Sequence, residues 1–222
     1  MKKLVGLIVG TWPASRLKNF TLSRLGHSIA SSARVGPIVL LGSTSLSVGA
    51  NCRVGPFNVF RNVQAHLSPF SELGQWNWIS AAPFLVEASS SPIAGTYRLG
   101  VHSSMTSRHY VDASGGVDIQ EFVTVAGVRS TFMSHGIDVK DNFLDTAPIA
   151  IGHHAMLGSN CNLVMGSRVP PHSVVAMGSV VVPGLDQDGS LFAGVPAKLK
   201  KRIDRTEYFL RTVGAVAPRP RS

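Results

Sequence analysis

Aliphatic residues recur at every sixth position along one stretch of the chain: Ile151, Leu157, Leu163, Val169, Val175 and Val181. Neither a helix, with its period of 3.6, nor an alternating strand, with its period of 2, repeats this way. A second column, four residues behind the first, holds the small residues Ala155, Cys161, Ser167, Ser173 and Ser179. Large aliphatic and small side chains alternating inward at fixed intervals suit a narrow core walled by short flat strands with a turn after each. Hexapeptide periods of this kind mark parallel β-helices. Three sides of six residues predict a triangular coil of about eighteen residues, which stacks Ile151 on Val169, Leu157 on Val175 and Leu163 on Val181. Adjacent coils then lie about 4.8 Å apart, each supplying the hydrogen-bond partners its neighbour lacks. Gly152 and Gly158 are expected to give room where the chain turns. The alternative, buried strands of a sandwich, would alternate by two and be separated by turn clusters.

The repeat continues upstream with interruptions. Val35-Gly36 and Leu41-Gly42 set one frame; Val48-Gly49 and Val54-Gly55, with Phe60, set a second; Ile119, Val125, Thr131 and Ile137 set a third. Each displacement implies an insertion at a corner. Residues 80–98 (SAAPFLVEASSSPIAGTYR) fit no frame and are rich in Ser, Ala and Pro, so they read as a loop leaving the coil. Residues 138–147 form a second break, because the frames on either side do not match.

Composition agrees with one elongated domain. The chain of 222 residues has 22 glycines and only 7% aromatic residues, which points to a thin core of small aliphatic side chains. Cys52 and Cys161 fall in the small inward column and are expected to be buried thiols. The net charge of +9 is unevenly spread: residues 1–26 contribute +5 and residues 198–222 contribute +6, which leaves the middle at −2. Basic ends without interleaved aromatic platforms argue against nucleic acid. They suit a small phosphorylated polyanion or an anionic membrane surface.

The N-terminal MKKLVGLIVGTWPAS has a positive start and a short apolar run, superficially like a signal peptide. That run, Leu4 to Val9 with Gly10, is far too short to span a bilayer. The following SRLKNFTLSRLG has apolar and basic residues at helical spacing and a stop at Gly26. An amphipathic helical cap over residues 1–26 is expected, resting on a membrane surface by peripheral contact. The location expected is cytoplasmic, at the inner face of that membrane; secretion is the alternative.

The stretch PIAIGHHAMLGSNCNLVMGSRVPPHSVVAMGSVVV, followed by LFAGVPAKLKKRI, resembles the C-terminal half of the hexapeptide-repeat acyltransferases, in particular the sugar and exopolysaccharide O-acetyltransferases. The resemblance implies an all-β, left-handed parallel β-helix over 27–197, with the short N-terminal helix before it and a basic C-terminal helix and flexible tail over 198–222. It implies a homotrimer with acetyl-CoA in the groove between adjacent β-helices. It also implies a general base just before the PI-x-IG repeat, which here is His135. His135 falls in register with Val117, Val123 and Arg129, immediately before the second break. An imidazole there could take the proton of a sugar hydroxyl attacking a thioester, with backbone N–H groups stabilising the oxyanion.

Asp138 is a candidate to orient that imidazole, and His109 a candidate to line the acceptor site. By resemblance, Gly158 and Ser159 occupy the wall position that meets the pantetheine arm, Met177 a main-chain contact to it, and Lys198 and Lys201 basic positions near the adenosine phosphates. Met156 stands where many relatives have Trp, and Val182-Pro183 where a Thr-Lys pair is common. His153 and His154 are expected in a solvated turn. Eight histidines raise a zinc reading, as in the γ-class carbonic anhydrases of this fold, but their spacing offers no convincing ligand set and no metal is expected. The function expected is acetyl-CoA-dependent O-acetyl transfer to a sugar or glycan precursor in a ternary complex. The alternatives are an N-acetyltransferase for an amino sugar or antibiotic, and a non-catalytic scaffold.

Overall fold

A computed structural model describes residues 2–203, 206–214 and 216. Short strands wind repeatedly through three sheets in the same order, which makes each circuit one coil of a triangular prism. The first sheet has seven strands, from Ser28–Ile29 to Arg168–Val169, the second nine, from Arg34–Val35 to Lys198–Arg202, and the third seven, from Ile38–Leu41 to Val180–Val181. Coil-to-coil pairing is parallel, and the predicted register is the one found: Ile151 opposite Val169, Leu157 opposite Val175, Leu163 opposite Val181. All six are at most 1% exposed. Burying each such side chain is worth about 1.5–3 kcal/mol, so the inward columns are the main source of cohesion. The small column of Ala155, Cys161, Ser167, Ser173 and Ser179 is buried beside them, and both cysteines are free thiols.

Two upstream frames differ from expectation. Leu40, not Leu41, points inward, and Phe132 replaces Thr131 at 0% exposure. The second displacement follows a bulge between Ser104–Ser107 and Thr124–Val128, which adds length at the corner before Phe132. Ile137, at 66% exposure, has left the coil altogether.

The glycines after inward residues serve close approach between coils. A Cβ on Gly152 would lie 2.5 Å from the backbone nitrogen of Pro171, one coil further on. The left-handed backbone that turns the corner sits two residues later, at His154 (φ 57°).

Both ends of the stack are closed. At the N-terminal end lie α1 (Lys2–Gly10) and α2 (Arg16–Arg24), the latter N-capped by Ser15, whose side chain accepts from the Lys18 amide. Lys18 is fully buried, and its ammonium donates to the carbonyls of Gly10, Trp12 and Gly36 at 2.7, 2.9 and 2.6 Å. It thereby satisfies carbonyls that the end of α1 leaves unpaired. Burial lowers its pKa to about 8. Leu4, Ile8, Leu17 and Phe20 face outward, more than half exposed.

At the other end, residues 198–202 form an antiparallel strand against Ser190–Ala193 where a basic helix was expected. A bare parallel edge needs hydrogen-bond partners, and this strand supplies them while its lysines remain in solvent. Among the described residues of this end, helix is confined to α4 (Glu207–Leu210); α3 (Pro83–Ala88) lies in the upstream insertion. Of the flexible tail expected, residues 215 and 217–222 lie outside the described residues. No helix among the described residues is long and apolar enough to cross a membrane.

Candidate active site

Residues 134–147 leave the corner between the third and first sheets as a two-stranded antiparallel hairpin, His135–Asp138 with Phe143–Thr146. His135 opens the hairpin opposite Thr146, and the Thr146 hydroxyl donates to Ser89 Oγ at 2.7 Å. Ser89 follows α3 in an insertion of residues 81–95, shorter than the loop 80–98 expected, because Ser80 ends the strand Trp78–Ser80 and Thr96–Leu99 is already back in the first sheet with Tyr97 buried. The two insertions, separate in sequence, therefore meet beside one imidazole.

Asp112 orients that imidazole. It ends the third-sheet strand Tyr110–Asp112, one coil below Met133, and its Oδ2 lies 2.7 Å from His135 Nδ1. The carboxylate is nearly buried, whereas the His135 side chain keeps 29% of its surface exposed. Ser114 Oγ donates to Asp112 Oδ1 at 2.6 Å and Ser134 Oγ to Oδ2 at 3.0 Å. With both oxygens held by donors, Asp112 accepts the Nδ1 proton, which leaves Nε2 as the lone-pair nitrogen toward solvent. The arrangement is that of an imidazole base fixed in one tautomer and one orientation.

Asp138 does not take this role. Its Oδ1 accepts the backbone N–H groups of Lys140 and Asp141 and so shapes the hairpin tip. The signal for Asp112 lay in YVDASGG, 23 residues before His135. A coil of eighteen residues could not find it, because this coil is longer than eighteen: Asp112 lies opposite Met133, two residues before His135.

His109 is 2% exposed, and both ring nitrogens are engaged. Nδ1 accepts the Ser130 N–H at 3.1 Å, and Nε2 meets the Thr106 hydroxyl at 3.1 Å. Its own N–H donates to Asn77 Oδ1, just as the N–H of Asn77 donates to Asn58 Oδ1 one coil below. His109 thus belongs to a buried polar ladder inside the second-to-third corner and not to an acceptor surface. Burial pushes its pKa down to about 4.

The residues matched to cofactor contacts gather at that same corner and on the sheet leading to it. Gly158 follows Met156–Leu157, and a Cβ on it would lie 2.8 Å from the Met177 nitrogen. Ser159 Oγ accepts the Val128 N–H at 3.2 Å, Met177 is 73% exposed, and Lys198 and Lys201 lie on the exposed last strand of the second sheet. His135 stands at a different corner, across the third sheet from this wall.

His153 and His154 are half-buried where solvated turn residues were expected. They join rings at the first-to-second corner: Phe70, His102, Phe122, His154 and His172 stack with centroids 4.6–5.2 Å apart.

No family model and no curated protein matches the chain. Among solved structures, a variant of AntD, an N-acyltransferase from Bacillus cereus in complex with dTDP-4-amino-4,6-dideoxyglucose and coenzyme A, is 14% identical, covering 84% of this chain and 89% of that one at a TM-score of 0.53. A second AntD variant, in complex with dTDP and coenzyme A, is 13% identical over 83% and 89% at 0.52. The polySia-specific acetyltransferase NeuO is 18% identical over 77% and 85% at 0.44. At such identities the AntD likeness is one of fold: the chain is a left-handed parallel β-helix of hexapeptide coils.

Proposed function

We propose that this chain is an acyltransferase that moves an acetyl group from acetyl-CoA to a hydroxyl of a sugar or glycan precursor, by direct attack within a ternary complex. The observation that carries the reading is the pairing of His135 with Asp112 at a partly open lip, roofed by the two insertions. A core-stabilising histidine has no need of a partly exposed imidazole there. The sequence resemblance around PI-x-IG supports the reading, as does a fold shared with proteins whose structures hold coenzyme A.

His135 Nε2 takes the acceptor's hydroxyl proton as the oxygen bonds to the thioester carbonyl carbon. Collapse of the tetrahedral adduct breaks the carbon–sulfur bond, and the imidazolium returns its proton to the departing thiolate. Asp112, holding Nδ1–H, stabilises the imidazolium between those steps.

The pantetheine wall at Gly158, Ser159 and Met177, with Lys198 and Lys201 toward the phosphates, is separated from His135 by the third sheet. A strand of three or four residues spans about 10–13 Å. The reading therefore takes His135 from one subunit and the wall from its neighbour in a homotrimer.

The exposed apolar side chains of α1 and α2, beside Lys2, Lys3, Arg16 and Arg24 with no acidic residue in 1–26, support peripheral contact of the same enzyme with an anionic membrane surface.

Release of CoA from acetyl-CoA over a panel of sugars, amino sugars and nucleotide- or lipid-linked sugars tests the transfer. Wild type should turn over at least one hydroxyl acceptor, and His135→Ala should lose about 10²-fold or more while remaining folded. Equal rates remove His135 from the chemistry. Turnover only on amines makes the enzyme an N-acetyltransferase, and no turnover with no acetyl-CoA binding by calorimetry leaves a scaffold.

A further inference from the structure

His153, His154 and His172 offer ring nitrogens that all lie within 4.8 Å of one another at the first-to-second corner. We propose that these three histidines form a binding site for one divalent transition-metal ion per chain, of which Zn²⁺ fits best. The site is independent of the acetyl-transfer reading and lies at a corner that the acyl chemistry does not use.

Adjacent residues of an extended strand point to opposite faces. His154 has φ 57°, and this left-handed backbone brings its ring beside that of His153. His172 adopts the same conformation at φ 50°, and its N–H donates to the His153 carbonyl at 3.0 Å, which locks the two turns together. Further backbone bonds fix the others: the His153 N–H donates to Gln120 Oε1 and the His154 N–H to the Glu121 carbonyl.

The side-chain geometry then points to a shared ion. His153 Nδ1 and His154 Nδ1 are 3.2 Å apart. Two nitrogens on a tetrahedral Zn²⁺ at 2.0–2.1 Å are separated by about 3.3 Å. His154 also has the outer contact of a metal-bound imidazole, because its Nε2 meets the carbonyl oxygen of Arg211 at 3.3 Å while Nδ1 is turned to the cluster. His153 is the informative member. His154 and His172 are rungs of the ring stack, explained by stacking alone, but His153 stands outside it, edge-on to both at 86° and 89°. Three imidazoles and no carboxylate in the ligand set suit Zn²⁺ or its late neighbours over Mg²⁺ and Ca²⁺. A fourth position would remain for water.

The test titrates the full chain, freed of metal by chelation and carrying no histidine tag, with Zn²⁺ by calorimetry and with Co²⁺ by the visible bands of a tetrahedral ion. The expected result is one ion per chain, with His153→Gln and His172→Ala each weakening binding by about 10²-fold or more at unchanged circular dichroism. Because His153 lies off the stack, its variant separates ligation from folding. In wild type, Zn²⁺ should also slow amide exchange at residues 152–154 and 171–173. Absence of binding, or binding that survives His153→Gln, overturns the proposal. The titration contains neither acetyl-CoA nor acceptor, so its outcome is separate from that of the transfer assay.

Discussion

Donors surround the Asp112 carboxylate: Ser114 through both its hydroxyl and its N–H, the His135 ring, and the Ser134 hydroxyl, which is shared with the Asp112 carbonyl oxygen at 2.8 Å. An amide at this position must turn its NH₂ toward one of those donors, so Asp112→Asn should lower kcat by about 10²-fold or more with KM for acetyl-CoA unchanged. Asp138→Asn should leave kcat within about twofold, since its carboxylate only shapes a turn. Steady-state kinetics of the two variants side by side checks the assignment, and the reverse pattern would return the role to Asp138. His109 makes a different prediction. Its folded pKa is lowered from 6.5 to about 4, so the native ring stays neutral while the unfolded ring takes up a proton as pH falls. Its contribution is complete above pH 6.5 and is lost between 6.5 and about 4, amounting to about 3 kcal/mol. Asn already fills the equivalent place at residues 58 and 77, so His109→Asn should fold and lose this part of the acid sensitivity. Urea unfolding of both proteins at pH 7 and pH 4.5 measures the difference.

The elements divide according to how strictly geometry repeats. Between Ile149 and Val181 every side of the coil has the same length, so a single period found each inward residue and its partner one coil away. Where the chain adds residues at a corner, periodicity fails: Phe132 takes over from Thr131, and His135 owes its place to a hairpin and a buried carboxylate rather than to register with Arg129. The ring stack is not legible in the sequence, because its members are spaced by one coil and a turn position looks polar. The N-terminal cap is a further case. On the amphipathic α2, Lys18 is inside because three carbonyls need its protons, and Leu17 and Phe20 are outside beside it. If that face rests on lipid, the chain should co-sediment with vesicles containing an anionic phospholipid and not with purely zwitterionic ones. The binding should fall in high salt and in a Leu4→Gln, Ile8→Gln double variant. Failure to sediment, with a change of assembly size in the double variant, would make this face a contact between copies of the chain.

On the scale of the whole molecule, the three sites proposed fall at three corners of one prism. The first-to-second corner holds the histidine cluster, the second-to-third the wall matched to coenzyme A, and the third-to-first His135 with Asp112. A rigid prism cannot fold one corner onto another, because its cross-section is filled by packed side chains. On the proposed reading, base and wall meet only when two prisms stand side by side, and a closed cyclic assembly would repeat that contact at each interface. The arrangement has a measurable consequence. His135→Ala removes the base and leaves the wall intact, and Met177→Glu sets a charge on the wall at an exposed position and leaves the base intact. Each variant alone should be inactive. Subunits of the two, unfolded together in equal amounts and refolded, should recover about one quarter of the wild-type sites, since half of the bases and half of the walls are sound and pair at random. Mixing the folded variants without exchange should recover nothing. If co-refolding also recovers nothing while each variant assembles normally, base and wall belong to one chain and the shared site is wrong.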